Sequence, residues 1–242
     1  MCIIEALSYA HLTMYDFVTT KGTIANQFVQ QSHKLGHLLY WHKQGDISIQ
    51  VRQDKTLRWL LINDTLQSVV AREHPEHFLF PHLQALEKIW QNLTPPKSVL
   101  ELGLGGGAIR DYLQAMYTDC HVFSVDNNPD IVHCYKKYFS TKKACHVACM
   151  SADSALSEGQ KYDWIILDLF SEMRAPLFLF QHPFYQLLRA ALNPKGWLFI
   201  NFLCEHHSQR KHLEHLLITN FGKKPHIVTL SDYANHIIAV RR

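Results

Sequence analysis

Apolar and polar residues alternate at Ile47-Ser48-Ile49-Gln50-Val51, the pattern of a strand with one buried face. The chain turns β-like from about residue 37. Gln53-Asp54-Lys55 reads as a turn, Leu57–Ile62 as a second strand, and Asn63-Asp64 as a turn into a third, Leu66–Val70. Three short strands joined this tightly predict a small antiparallel β element. Residues 1–36 have mixed periodicity and define no element, with Gly22 and Gly36 as hints of turns.

The period then lengthens. Phe78–Trp90 predicts a helix between Pro75 and Pro95-Pro96. Beyond it, strands are expected at Val99–Leu102, His121–Val125, His146–Met150, Trp164–Asp168 and Trp197–Phe202. Helices are expected between them at Ala108–Met116, Pro129–Phe139, Gln181–Leu192 and Gln209–Phe221, with a short turn or helix at Asp153–Ser157. Such alternation implies a parallel sheet covered on both faces. The last two strands, His226–Leu230 and His236–Val240, flank Ser231-Asp232-Tyr233, too short for a crossover, so they must be antiparallel. The expected fold is α/β, with an N-terminal extension and small β element over 1–75 and a Rossmann-like nucleotide-binding domain over 76–242.

Composition narrows the class. Hydrophobic residues are 47% and charged residues 19% of 242, enough for a sizeable core, and a dispersed net charge of +3 argues against a nucleic-acid partner. The six cysteines form no C-x-x-C pair, and several fall in apolar segments, which reads as reduced thiols in a cytoplasmic protein. Neither a signal peptide nor a membrane span is expected. His33 and His37, and the group His206, His207, His212 and His215, lack a Cys or carboxylate at ligand spacing, so no metal is expected.

Chemistry concentrates in Ser98–Leu113. The strand runs into Gly103-Leu104-Gly105-Gly106-Gly107, and that turn opens a helix. Strand, glycine turn and helix N-terminus in this order make a nucleotide cradle, because glycines allow close backbone approach and helix N-termini face anions. Asp126 ends the next strand, where a carboxylate can accept both ribose hydroxyls. Ligands of open α/β sheets bind beyond the strands' carboxyl ends, which adds Asn127, Asp153 and Asp168 as candidates. Asp153 can accept from an adenine amine or cap a helix. Asp168 follows Trp164-Ile165-Ile166-Leu167, where sheet packing explains it poorly; it can orient an attacking amine and accept its proton, or cap a loop.

Glu101-x-Gly103-x-Gly105-x-Gly107 resembles the first motif of class I S-adenosylmethionine (SAM)-dependent methyltransferases, and the resemblance implies a seven-stranded sheet with Glu101 facing the ammonium of the cofactor's amino-acid moiety. From about Gly45 onward the chain resembles the spermidine synthase (polyamine aminopropyltransferase) family. That likeness implies that Gly103, Gly105, Gly107, Asp126 and Asp153 hold SAM or decarboxylated SAM, with Asn127 added by its place at the strand end, that Asp168 is catalytic, and that Gln67 lies on the acceptor side. It also implies a small-molecule acceptor, an amine in that family, and a homodimer.

Three departures stand out. Gly106 occupies the loop position where the family carries an Asp that would repel the carboxylate of intact SAM. Ser171 replaces a second polyamine-binding Asp, with Glu172 beside it, and His82 replaces a Tyr. These changes favour methyl transfer from SAM; aminopropyl transfer to putrescine is the alternative, and a non-catalytic nucleotide-binding protein a third reading. The apolar loop Phe170–Phe180 would roof the acceptor pocket.

Overall fold

The computed structural model describes residues 17–140, 146–169, 176–204, 206–230 and 233–242. A short helix α1 (Asn26–Gln31) precedes a meander of four strands, β1 (His37–Gln44), β2 (Ile47–Gln53), β3 (Leu57–Ile62) and β4 (Thr65–Ala71), each antiparallel to the next. The sequence pattern predicts three of these. β1 lies where the sequence turns β-like from about residue 37, but the pattern does not delimit it as a strand, because His37–Gln44 is an edge strand exposed over most of its length and no face is marked by apolar alternation. The β2–β3 turn closes through Asp54, whose carboxylate accepts from the Thr56 and Leu57 backbone N–H groups. Asn63 and Asp64, both at positive φ, form the tight β3–β4 hairpin.

Helix α2 (Pro81–Trp90) starts three residues later than the sequence pattern suggests, at a proline suited to a first helical turn. There follow β5 (Ser98–Leu102), α3 (Ala108–Met116), β6 (His121–Asp126), α4 (Pro129–Cys134), β7 (Val147–Cys149), α5 (Ala152–Ser157), β8 (Tyr162–Leu167), α6 (His182–Ala191), β9 (Leu192–Leu203), α7 (His207–Phe221), β10 (His226–Thr229) and β11 (Asn235–Arg241). The expected helix Pro129–Phe139 is split: α4 passes into a π-helical turn over Tyr135–Phe139, closed by the Ser140 N–H donating to the Tyr135 carbonyl.

The seven strands lie in the order β10-β11-β9-β8-β5-β6-β7. β5 pairs in parallel with β6 and β8, while β11 runs antiparallel to both β9 and β10. One face carries Val99, Trp164 and Phe199 against Leu86 and Trp90 of α2 and Ile109 and Leu113 of α3. The other carries Leu100, Ile165 and Leu198 against Leu188 of α6 and Leu217 of α7. Alternate residues of each central strand therefore serve opposite layers, as a sheet covered on both sides requires. Among the described residues no helix is long and apolar enough to cross a membrane.

Several of the remarked histidines and cysteines acquire plain roles. His206 caps α7, and His212 bonds the Phe180 carbonyl at 3.1 Å. Among the described cysteines, all free, Cys134 is buried, Cys120 and Cys204 are partly buried and Cys149 is exposed.

Candidate active site

Three strand ends converge on the glycine turn. The Gly103 N–H donates to the Val125 carbonyl and the Asp168 N–H to the Leu102 carbonyl, each at 2.9 Å, tying β5 to the ends of β6 and β8. Gly103 has φ +100°, and a Cβ there would lie 2.1 Å from the Asp168 carbonyl oxygen, so neither the backbone conformation nor the space admits a side chain. Gly105 follows in the turn and Gly107 stands at the N-cap of α3. Asp126 braces the turn: its carboxylate accepts from the Leu104 N–H at 3.2 Å and the Asn128 N–H at 3.0 Å. Burial raises its pKa while those N–H groups pull it down. Its remaining lone pairs are the ones a ribose would use.

Glu101 lies beneath the turn, 1% exposed. Neither carboxylate oxygen has a hydrogen bond of ordinary geometry. Ser124 and Arg110 are close enough to favour its ionised form, yet burial dominates and pushes its pKa up to about 8. Arg110 is itself buried, donating to the Val122 carbonyl at 2.7 Å and the Ser124 hydroxyl at 3.1 Å. A buried acid short of donors is a site for a cationic group, and beside a glycine cradle it fits the ammonium of an adenosyl amino-acid ligand. The residues present therefore fit a SAM-type ligand, which Glu101, the glycine turn and Asp126 would hold.

Asp168 stands at the end of β8, half-buried, its main chain pressed on Gly103. The Asn201 side-chain amide of β9 donates to its carboxylate at 2.8 Å, and the Asn235 side-chain amide of β11 donates to the Asn201 side-chain oxygen Oδ1 at 2.9 Å. Burial raises the Asp168 pKa to about 6, with Asn201 opposing the rise. Asn201 went unremarked in the sequence; its signal is a lone amide inside the apolar run Leu198–Leu203. Removing it has a readable consequence. Asn201→Leu should shift the acid limb of any Asp168-dependent rate upward from about pH 6, because the amide favours the ionised carboxylate. A pH–rate profile checks this, and an unmoved limb would mean that Asn201 only fills space.

The remaining candidates divide. Asn127 and Asp153 are exposed beyond β6 and β7; the cap of α5 is Ser151, whose hydroxyl accepts from the Ser154 N–H, so the capping alternative for Asp153 is corrected. Gln67 occupies a β-bulge: Leu60 pairs Ser68 and Leu61 pairs Leu66, leaving Gln67 unopposed. Bulges re-aim side chains, often beside active sites. His82 lies in the first turn of α2, stacked on Phe80 at 5.1 Å, and burial lowers its pKa to about 4. The end of α2 stacks Trp90 on Trp164 near the starts of the strands, so the helix start carrying His82 points toward the strand ends. Ser171 and Glu172 lie outside the described residues, as does most of the 170–180 loop.

Gly106 meets the N-terminal sheet. A Cβ there would fall 2.7 Å from the Ser68 hydroxyl, 2.9 Å from Ser68 Cβ and 3.2 Å from the Phe139 ring. The space of a side chain at this position is already taken by β4 and the π-helical turn. Neither contact was legible in the sequence, because both partners come from remote segments.

No family model matches the chain. It is 33% identical over 150 residues to the polyamine aminopropyltransferase of Saccharolobus solfataricus, covering 57% of this chain and 48% of that one. To the polyamine aminopropyltransferase of Chromobacterium violaceum it is 24% identical over 175 residues, covering 70% and 67%. Across these and the Vibrio vulnificus relative, the match spans from 38% to 67% of the relatives' length. Among solved structures, a probable spermidine synthase from Corynebacterium glutamicum superposes with a TM-score of 0.69 at 16% identity, over 86% of this chain and 80% of the other. A spermidine synthase in complex with the transition-state analogue AdoDATO gives 0.62 at 15% identity, over 84% and 73%. Human methyltransferase-like protein 13 in complex with SAH gives 0.56 at 18% identity, over 65% and 80%. At such identities the solved structures speak to the fold. The chain is similar in sequence to the polyamine aminopropyltransferases and shares the fold of spermidine synthases and methyltransferases, an α/β protein with a small antiparallel sheet at its N-terminal side.

Proposed function

We propose that the protein is a transferase that alkylates a small amine, using an adenosyl sulfonium donor held by Glu101, the glycine turn and Asp126. The observation that carries this is Asp168: a carboxylate with pKa about 6 whose main chain touches the glycine turn. A bound donor supplies a carbon made electrophilic by its sulfonium neighbour. Above pH 6 Asp168 is ionised and can take the proton of an ammonium, freeing the nitrogen lone pair for in-line attack. As the N–C bond forms, the C–S bond breaks and its electron pair stays on sulfur as a neutral thioether; the product amine leaves as an ammonium, and Asp168 releases the proton it took to solvent. Asn201 and Asn235 hold that carboxylate in one orientation.

Two donor groups fit this scheme. The relatives' names support aminopropyl transfer from decarboxylated SAM, the reading that the sequence placed second. Gly106 supports methyl transfer from SAM, since with Ser68 and Phe139 in its side-chain space no acid there can repel a donor carboxylate. Incubation with each donor and a panel of small mono- and diamines, read by mass spectrometry, tests the proposal. Release of methylthioadenosine establishes aminopropyl transfer and release of S-adenosylhomocysteine establishes methyl transfer. Turnover of neither donor with any amine would overturn the proposal.

The Gly106 contact makes its own prediction. Gly106→Asp alone should destabilise the fold, because Ser68 is short and fixed on a strand and cannot swing clear. Gly106→Asp with Ser68→Gly should recover part of that stability, the Phe139 ring still having to give way slightly, and bind decarboxylated SAM in preference to SAM by about tenfold or more. Thermal melting and parallel titrations check both parts.

A further inference from the structure

A cleft of about 270 Å³ opens between the N-terminal sheet and the π-helical turn, with Phe139 in its wall. Lys55, Arg58 and Arg72 line it, with Glu73 as its acid, and Val70, Pro75 and Phe139 supply apolar wall. The two guanidinium groups are held by neutral acceptors. Arg58 donates to the Gln53 amide oxygen, at 2.9 Å from Nε. Arg72 donates to the Asp54 carbonyl at 3.0 Å and the Lys55 carbonyl at 2.9 Å. Neither forms an ion pair with a carboxylate among the described residues. Burial lowers the Arg58 pKa and the neighbouring Arg72 lowers it further, the mark of like charges kept close.

Holding the partly buried Arg58 beside the exposed Arg72 costs free energy, which an anion seated between them would offset. Guanidinium groups are also the side chains best shaped for bidentate contacts to phosphate and carboxylate. We infer that this cleft is a binding site for a small oxyanion, phosphate or carboxylate, borne by a molecule with an apolar part that packs on Val70, Pro75 and Phe139. The charge excludes the cleft as the seat of a cationic amine, so it is separate from the acceptor position beside Asp168. Phe139 joins the two: its ring lines the cleft and faces the glycine turn. An anion bound here is therefore placed to influence the turn. The site does not depend on what donor the glycine turn holds.

Calorimetric titration with inorganic phosphate and with phenyl phosphate tests the inference, at constant ionic strength and with methylthioadenosine saturating so that the glycine turn does not take the probe. Saturable binding is expected for both, tighter for phenyl phosphate because of the apolar wall. Arg72→Gln should weaken it by about tenfold or more, the loss of one charged hydrogen-bonding partner. Arg58→Lys keeps the charge and removes the planar fork, and should weaken it less than Arg72→Gln. Lys43→Gln, on β1 away from the cleft, serves as the control and should bind as the wild type does. If neither probe binds saturably, or if Arg72→Gln, folded by circular dichroism, binds as tightly as the wild type, the inference fails.

Discussion

Replacing Asp168 with Asn lowers turnover by about 10²- to 10⁴-fold while the affinity for adenosyl ligands stays within a few-fold. The two side chains have nearly the same shape, so packing at the end of β8 survives. The main-chain bond from Asp168 to Leu102 and the contact with Gly103 are untouched. What is lost is a group able to hold a proton. The retained carboxamide oxygen still accepts from Asn201, so the variant separates proton transfer from positioning. Single-turnover kinetics with binding measured alongside decides the matter. Normal turnover by the variant would remove Asp168 from the mechanism, and a large loss of affinity would make it a ligand holder instead.

Glu101→Gln is expected to trade binding for stability, and the trade depends on pH. In the unfolded chain a glutamate titrates near its ordinary value of 4.5, and in the folded protein Glu101 titrates near 8. Between those values the folded state holds a proton that the unfolded state has released, so stability falls as pH rises through the window. Above pH 8 the full cost of an ionised, poorly hydrogen-bonded carboxylate is present. A neutral amide of the same shape escapes it. The variant should melt several degrees above the wild type at pH 9, on the order of 1–3 kcal/mol, and close to it below pH 5. Its affinity for donors bearing an ammonium should drop by about tenfold or more, while methylthioadenosine, which has none, should bind as before. Equal melting of the two proteins across this range would mean that Glu101 is solvated or paired in solution.

The sequence makes the sheet legible because strands buried on both faces and amphipathic helices leave strong periodic signals. It marks Glu101, the glycines, Asp126 and Asp168 because strand ends are where an open α/β sheet presents its chemistry. Other parts are silent for physical reasons. β1 lies at an exposed edge and carries no apolar alternation. The π-helical turn keeps the composition of a helix while changing its hydrogen bonding, so Phe139 reaches the loop unannounced. Ser68 and Asn201 act through contacts with residues far away in the chain, and no local pattern reports those. The bulge at Gln67 is likewise a property of two strands in register, not of either alone.

Binding of the donor tests the account most directly. Titrating SAM, decarboxylated SAM and methylthioadenosine into the purified protein should show saturable binding of at least one sulfonium donor, tighter than methylthioadenosine by the contribution of Glu101. Absence of saturable binding by both sulfonium donors would contradict the account, leaving the fold in place and the glycine turn without its ligand.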